Sequence, residues 1–345
     1  FNVFAIRGEE YRDPRVLLTG IDHLRSLDAE HLVATHGPPM SGAAEIARRA
    51  TAYRDSIQFL WDQTVRWTNR GCTGPELADR IRLPEAFGDD WITQQHYGLV
   101  EHHVRQIRTG LFGFFDGDPA ELLPLAPQEH ADRTVEAMGG TDAVRSSCRE
   151  ALEGTSGSTG DADLRWALQL ASQLAARSDA DQVDRDLLAT ALRTVARRTT
   201  SANVRNWCLT RARGFDGTDD LSRYRTHRLL GRQVESWPIE RTVSVLRVLV
   251  DPDLLDGVDV HVAFELDGQR TGLHFRNHVA CPTDGDDTDA VITGQRSAWN
   301  GVLTGAHSLT EAIEQGSLTI DGDDDALGAL AALDHPSVRP EPVTD

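Results

Sequence analysis

The chain opens Phe1-Asn-Val-Phe-Ala-Ile-Arg7 and, after an intervening helical stretch, continues His31-Leu-Val-Ala-Thr-His-Gly-Pro-Pro39. Alternation in the first run and β-branched residues in the second predict two short strands, with an amphipathic helix between them at about Val16 to Leu27. Such a β-α-β piece is too small to stand alone, because both of its faces need covering. The chain starts without Met inside one of these strands, and the partner layer is expected before Phe1.

Outward from this piece the pattern changes. From Gly42 to about Arg213 it is helical, with Leu60, Trp61, Thr64, Val65 and Trp67 at helical spacing, as are Trp166, Leu168, Leu170, Ala171 and Leu174. Gly71, Leu83-Pro84 and Gly117-Asp-Pro119 punctuate these helices, and the small polar run from Glu153 to Asp163 reads as a loop between two of them. Beyond Arg-rich helical material around Trp237 to Leu249 the period becomes two. Val258 to Leu266, then Asp267-Gly268, then Gln269 to Phe275 spell a hairpin with its turn written in. Further strands fit Ala290 to Thr293 and Gly316 to Gly322, so a small α+β domain closes the chain, with a frayed tail after Asp334.

Composition narrows the function classes. The 345 residues are 39% hydrophobic and hold enough apolar content for ordinary cores, which excludes a disordered or collagenous chain. The 35 basic residues are all Arg, and against 54 acidic ones they leave a net charge of −19. Nucleic acid is therefore not an expected partner. A lysine-free acidic balance suits solubility at high salt, and a GC-rich coding sequence is the alternative explanation. Cys72, Cys148, Cys208 and Cys281 form no CxxC pair and are expected to be reduced and buried. No transmembrane segment is expected, because no run of eighteen apolar residues occurs.

Chemistry-bearing residues are few. His36 sits where a strand runs into a Gly-Pro turn, either as a metal ligand or as a turn histidine bonded to its own loop. Arg7 and Arg12 frame the flexible Gly8, a spacing that suits a tetrahedral oxyanion, although most arginines in such a chain pair with acids. His102 and His103 are adjacent on a helix, point in different directions and do not suit a shared metal. The acidic runs Asp284 to Asp289 and Asp321 to Asp325 lack the terminal Glu of a calcium loop and read as solvated turns. No Walker loop, GxGxxG or GxSxG occurs.

The order of several motifs carries more than any one of them: Ile6-Arg-Gly8, Tyr11-Arg-Asp-Pro-Arg15, Thr35-His-Gly-Pro38, Ala52-Tyr-Arg-Asp-Ser-Ile-Gln-Phe59, Tyr97-Gly98, Gly113-Phe-Phe-Asp-Gly-Asp-Pro119, Met138-Gly-Gly140 and Ser201-Ala-Asn-Val-Arg-Asn-Trp207. In register from Phe1 to about Ala212 they resemble the linear alkylsulfatases of the metallo-β-lactamase superfamily. The resemblance implies a multidomain α+β chain. Residues 1–70 would be the truncated αββα tail of a metallo-β-lactamase-like domain, 71–213 an all-α dimerisation domain, and 222–334 a sterol-carrier-like domain. It implies a homodimer acting on alkyl sulfate esters with two zinc ions, His36 being the last metal ligand. It places Asn2, Val3, Phe4, Ala5, Ile6, Arg7 and Arg12 on the sulfate-binding segment, and Phe114 and Phe115 along the alkyl chain. Arg108 falls where the family usually has a Tyr reaching the sulfate, which leaves the substrate open to difference. The family's His-x-His-x-Asp-His cluster is absent from this sequence, so the stretch by itself is expected to be inactive. Two other readings remain: a non-catalytic dimerisation and lipid-carrier module, and another hydrolase on the metallo-β-lactamase scaffold. Nothing in the sequence fixes the protein's localisation.

Overall fold

The structure, a computed structural model, describes residues 2–6, 8, 10–88, 90–157, 161–221 and 229–322. The chain divides into two compact units, residues 1–219 and 220–345.

In the first unit, helix α1 (Pro14–Ser26) begins at Asp13, whose carboxylate accepts the Arg15 N–H, and proline takes the first helical position. A short antiparallel pair, β1 (His31–Leu32) with β2 (Met40–Ser41), leads into the long helix α2 (Ala43–Thr68). Helix α3 (Gly74–Arg80) starts with a reciprocal capping box between Thr73 and Glu76, and α4 (Val100–Phe112) follows. Leu18, Ile57, Leu60, Leu77, Val104 and Ile107 from these four helices share one buried cluster, and Val3 of the opening segment joins it.

Helices α5 (Pro127–Ala137), α6 (Thr141–Glu153), α7 (Ala162–Ala176), α8 (Gln182–Arg198) and α9 (Ala202–Phe215) complete the unit. Val144, Cys148, Leu170, Leu174, Leu187 and Ala191 form their core. Asp184 of α8 is fully buried there, with Arg145 Nε and Arg177 Nη2 each donating to its carboxylate at 2.8 Å. The four cysteines are free thiols, and burial pushes the pKa values of Cys148 and Cys208 up.

The expected β-α-β arrangement does not form among the described residues. Residues 2–6 are in no strand, and the second run yields only His31–Leu32, which pairs antiparallel with Met40–Ser41. A strand exists through its ladder, and alternation without a neighbouring edge leaves an extended segment whose polar groups turn to side chains instead.

The second unit follows its sequence pattern closely. Strands β3 (Asp259–Leu266) and β4 (Gln269–Arg276) pair with Leu266 opposite Gln269, leaving Asp267 and Gly268 as a two-residue turn at φ 53° and 77°. Positive φ at both positions gives the turn whose twist matches the strands. With β5 (Val279–Thr283), β6 (Ala290–Gly294) and β7 (Leu318–Gly322) the sheet runs β5-β4-β3-β6-β7, and only the β3–β6 pairing is parallel. Val260, Val262, Phe264 and Leu266 enter a core with α10 (Gly231–Ser236), α11 (Ile239–Ser244), α12 (Arg296–Leu303) and α13 (Leu309–Glu314). Trp299 lies at its centre, 5.0 Å from the Phe264 ring, with its indole N–H on the Thr242 carbonyl at 3.2 Å. The run from Asp284 to Asp289 is structural: Asp289 accepts the His261 N–H at 2.7 Å, and Gly285 packs against the Thr271 carbonyl. Part of the second acidic run, residues 323–325, and the tail after Asp334 lie outside the described residues. No helix among the described residues is long and apolar enough to cross a membrane.

Candidate functional site

The opening segment is fixed by helices rather than by a sheet. The Phe4 N–H donates to His103 Nδ1 of α4 at 3.1 Å, and the Trp207 indole of α9 donates to the Ile6 carbonyl at 3.1 Å. Val3 and Ala5, each next to an anchored residue, are buried. The Asn2 amide, oriented to satisfy its neighbours, donates to the Phe4 carbonyl at 3.0 Å and accepts from Arg12 Nη1 at 2.8 Å. Tyr53 of α2 bonds to the Asn2 backbone; burial raises its phenol pKa, against the pull of that bond and of the nearby Arg12 charge.

Two glycines make this close approach possible. A Cβ on Gly98 would lie 2.2 Å from Cε1 of the His103 ring, and one on Gly110 would lie 2.1 Å from the Tyr11 ring. Residues 2–6 and Tyr11-Arg12 are thus laid along α4, with one guanidinium oriented by an amide. Such an arrangement can present a fork of donors to an oxyanion without first ordering it.

The other sequence candidates lie elsewhere. Arg7 is outside the described residues. Arg108 donates to the Phe115 carbonyl at 3.3 Å and the Asp116 carbonyl at 2.9 Å, and its guanidinium lies 5.8 Å from the Phe112 ring, so it staples the turn after α4. Phe114 and Phe115 stand on that turn, both exposed. His36 is exposed on the loop between β1 and β2. Its neighbour Gly37, at φ 90°, packs on the Trp91 ring, where a Cβ would come within 3.0 Å. Trp91 is held near the start of α2, with the Arg49 guanidinium 5.7 Å from its ring and Asp90 bonded to Arg48 at 3.0 Å. Glu45 accepts from both arginines, which lowers its pKa to about 2. Among the described residues no group of three or more His, Cys, Asp or Glu side chains could hold a metal ion.

His103, Tyr53 and Trp207 carry the segment, and composition does not single them out. Tyr53 and Trp207 lie inside the recurring motifs, and His103 falls on the apolar stripe Val100, Val104, Ile107, which is the signal for its burial.

Comparison with known proteins defines the class. Residues 73–217 match the alkyl sulfatase dimerisation family and residues 231–339 the alkyl sulfatase C-terminal family. The chain belongs to the linear alkylsulfatases, as their C-terminal part. It is 31% identical over 336 residues to a linear primary-alkylsulfatase of Pseudomonas sp. (strain ATCC 19151), covering 93% of this chain and 62% of that protein. It is 28% identical to an (R)-specific secondary-alkylsulfatase of Pseudomonas sp., covering 96% of this chain and 50% of the relative. The solved structure of a stereoselective inverting sec-alkylsulfatase from Pseudomonas sp. superposes with TM-score 0.83 at 28% identity, over 97% of this chain and 53% of that one. The chain thus spans half to three-fifths of the length of these relatives.

Proposed function

We propose that this chain is the dimer-forming C-terminal part of a metal-dependent alkylsulfatase that hydrolyses alkyl sulfate esters to alcohol and sulfate. The observation that carries the reading is the match along 97% of the chain to a sec-alkylsulfatase fold, of which it covers 53%. In this reading Arg12, oriented by Asn2, holds sulfate oxygens beside the backbone of residues 2–6, with Arg7 as a second cation.

The residues present do not fit a zinc pair. A catalytic zinc takes three protein ligands and keeps an open position, whereas His36 is exposed and among the described residues no three ligands gather. In this reading His36 is the ligand the chain would lend, and the remaining ligands would come from a part outside it. No step of the hydrolysis is assigned to a residue of this chain. The reading is tested by assaying the complete gene product against dodecyl sulfate before and after chelation. Activity lost with the metal and restored by zinc is expected, and turnover indifferent to chelation would contradict the proposal.

A further inference from the structure

Where α2 ends and α3 begins, three arginines gather on one indole. The guanidinium carbons of Arg66, Arg70 and Arg80 lie over the Trp67 ring, 5.3, 5.0 and 4.3 Å from its centroid. An indole has two faces, so at least two of these cations share one. All three lie within about 10 Å of one another, the Debye length at ~0.1 M salt. Each cation is attracted to the ring, yet the three repel one another.

The fold fixes this gathering. Helix α2 closes in a left-handed turn at Gly71, φ 88°, with the Gly71 N–H on the Thr68 carbonyl at 2.9 Å and the Cys72 N–H on the Trp67 carbonyl at 3.1 Å. The Thr73–Glu76 capping box then starts α3 at once, and α3 ends on Arg80. Trp67 packs, half-buried, against the core shared by α1 to α4. In a chain of net charge −19 such a cluster is out of character. Arg15, Arg48, Arg54, Arg133 and Arg145 each reach a carboxylate at 3.0 Å or less. Among the described residues none of Arg66, Arg70 and Arg80 forms an ion pair, and Arg66 donates to the Gln63 amide oxygen at 3.3 Å. The acids near by in sequence are engaged: Glu76 accepts from the Thr73 N–H and hydroxyl at 2.8 and 2.9 Å, and Asp79 lies 3.6 Å from Arg82. All three arginines are exposed, which leaves their donor forks open to a solute.

We propose that Arg66, Arg70 and Arg80 form a binding site for a tetrahedral oxyanion of the sulfate or phosphate type, free or as the headgroup of an amphiphile. An anion seated among the guanidiniums relieves their mutual repulsion and matches their planar forks of donors. Because the turn and the indole already hold the arginines in place, little ordering remains to oppose binding. The site is separate from the Arg12 segment: Tyr53, beside Arg12, and Trp67 are fourteen residues apart on α2, about 21 Å along its axis. It does not depend on the sulfatase reading.

Titration of the full chain with sodium sulfate, followed by NMR at the Trp67 indole N–H and matched against sodium chloride at equal ionic strength, tests it; Trp67→Phe assigns the signal. A saturable shift with sulfate alone is expected, and Arg12→Ala should retain it. Arg70→Gln and Arg80→Gln should each raise the Kd roughly two- to fivefold, as for loss of one exposed ion pair, with the thermal midpoint unchanged. Methyl and hexyl sulfate identify the source: tighter binding of the hexyl ester assigns the headgroup of an amphiphile, and equal binding assigns the free anion. A shift that chloride reproduces, or one undiminished in both arginine variants, overturns the site, whatever the complete protein hydrolyses.

Discussion

His103 shows how one side chain sets the candidate site. Its ring is buried against Gly98, and Nδ1 takes the Phe4 N–H, so the opening segment depends on a cavity that a single methyl would fill. Gly98→Ala should cost about 2 kcal/mol through overpacking and should release the Phe4 amide to fast hydrogen exchange; protection equal to wild type would show the anchor to be incidental. Arg12→Ala in the complete enzyme should lower kcat/KM for an alkyl sulfate at least tenfold, as expected for loss of a charge-assisted contact, with Arg12→Lys recovering only part. Asp184 is the stability counterpart, fully buried between Arg145 and Arg177. Asp184→Asn removes the buried anion that Arg145 and Arg177 share and leaves them only the more exposed Asp181 and Asp179; it costs about 3 kcal/mol, and should lower the thermal midpoint of this unit by roughly 10 °C. At this scale the sequence was only partly legible. Tyr53 and Trp207 were visible inside motifs, but a buried histidine and a solvated one are spelled alike, and only the apolar stripe around His103 distinguishes them.

Among elements, the hairpin at residues 259–276 was readable because its alternation, its turn residues and its partner strand are contiguous. The opening run alternates as well, yet residues 2–6 form no strand, since pairing needs an edge that local pattern cannot supply. Gly268 at φ 77° has open space where a Cβ would stand, so Gly268→Ala carries only the backbone penalty and should cost about 1 kcal/mol in the second unit; a larger loss would point to a packing role. Helix α4 also carries a pH dependence. Burial lowers the pKa of His102 below 6.5, against the opposing pull of Glu101. The unfolded chain therefore takes up this proton first, so the contribution of His102 is fully present above about pH 6.5 and is lost as the pH falls through the folded value. Glu45 and Asp161, both lowered to about 2, act in the same direction further down, with contributions present above the ordinary carboxylate range and lost toward pH 2. Thermal scans of the first unit should show stability falling as the pH drops below 6.5, and His102→Gln should flatten that decline.

At the scale of the whole chain, charge and completeness decide behaviour. A net charge of −19 with no Lys implies self-repulsion that salt screens, so the thermal midpoint should rise between low salt and about 1 M NaCl; a flat or falling midpoint would remove this argument. In the proposed function the chain would hold one edge of a metal-dependent sulfatase, with a sulfate-gripping segment laid on helix α4 and a metal centre completed by residues outside the chain. Sulfate release from dodecyl sulfate in the presence of zinc, measured for this chain alone and for the complete gene product, tests it most directly. The account predicts sustained turnover by the complete protein, and no release above the blank and no stoichiometric zinc for the chain alone; zinc-loaded, catalytic hydrolysis by residues 1–345 on their own would contradict it.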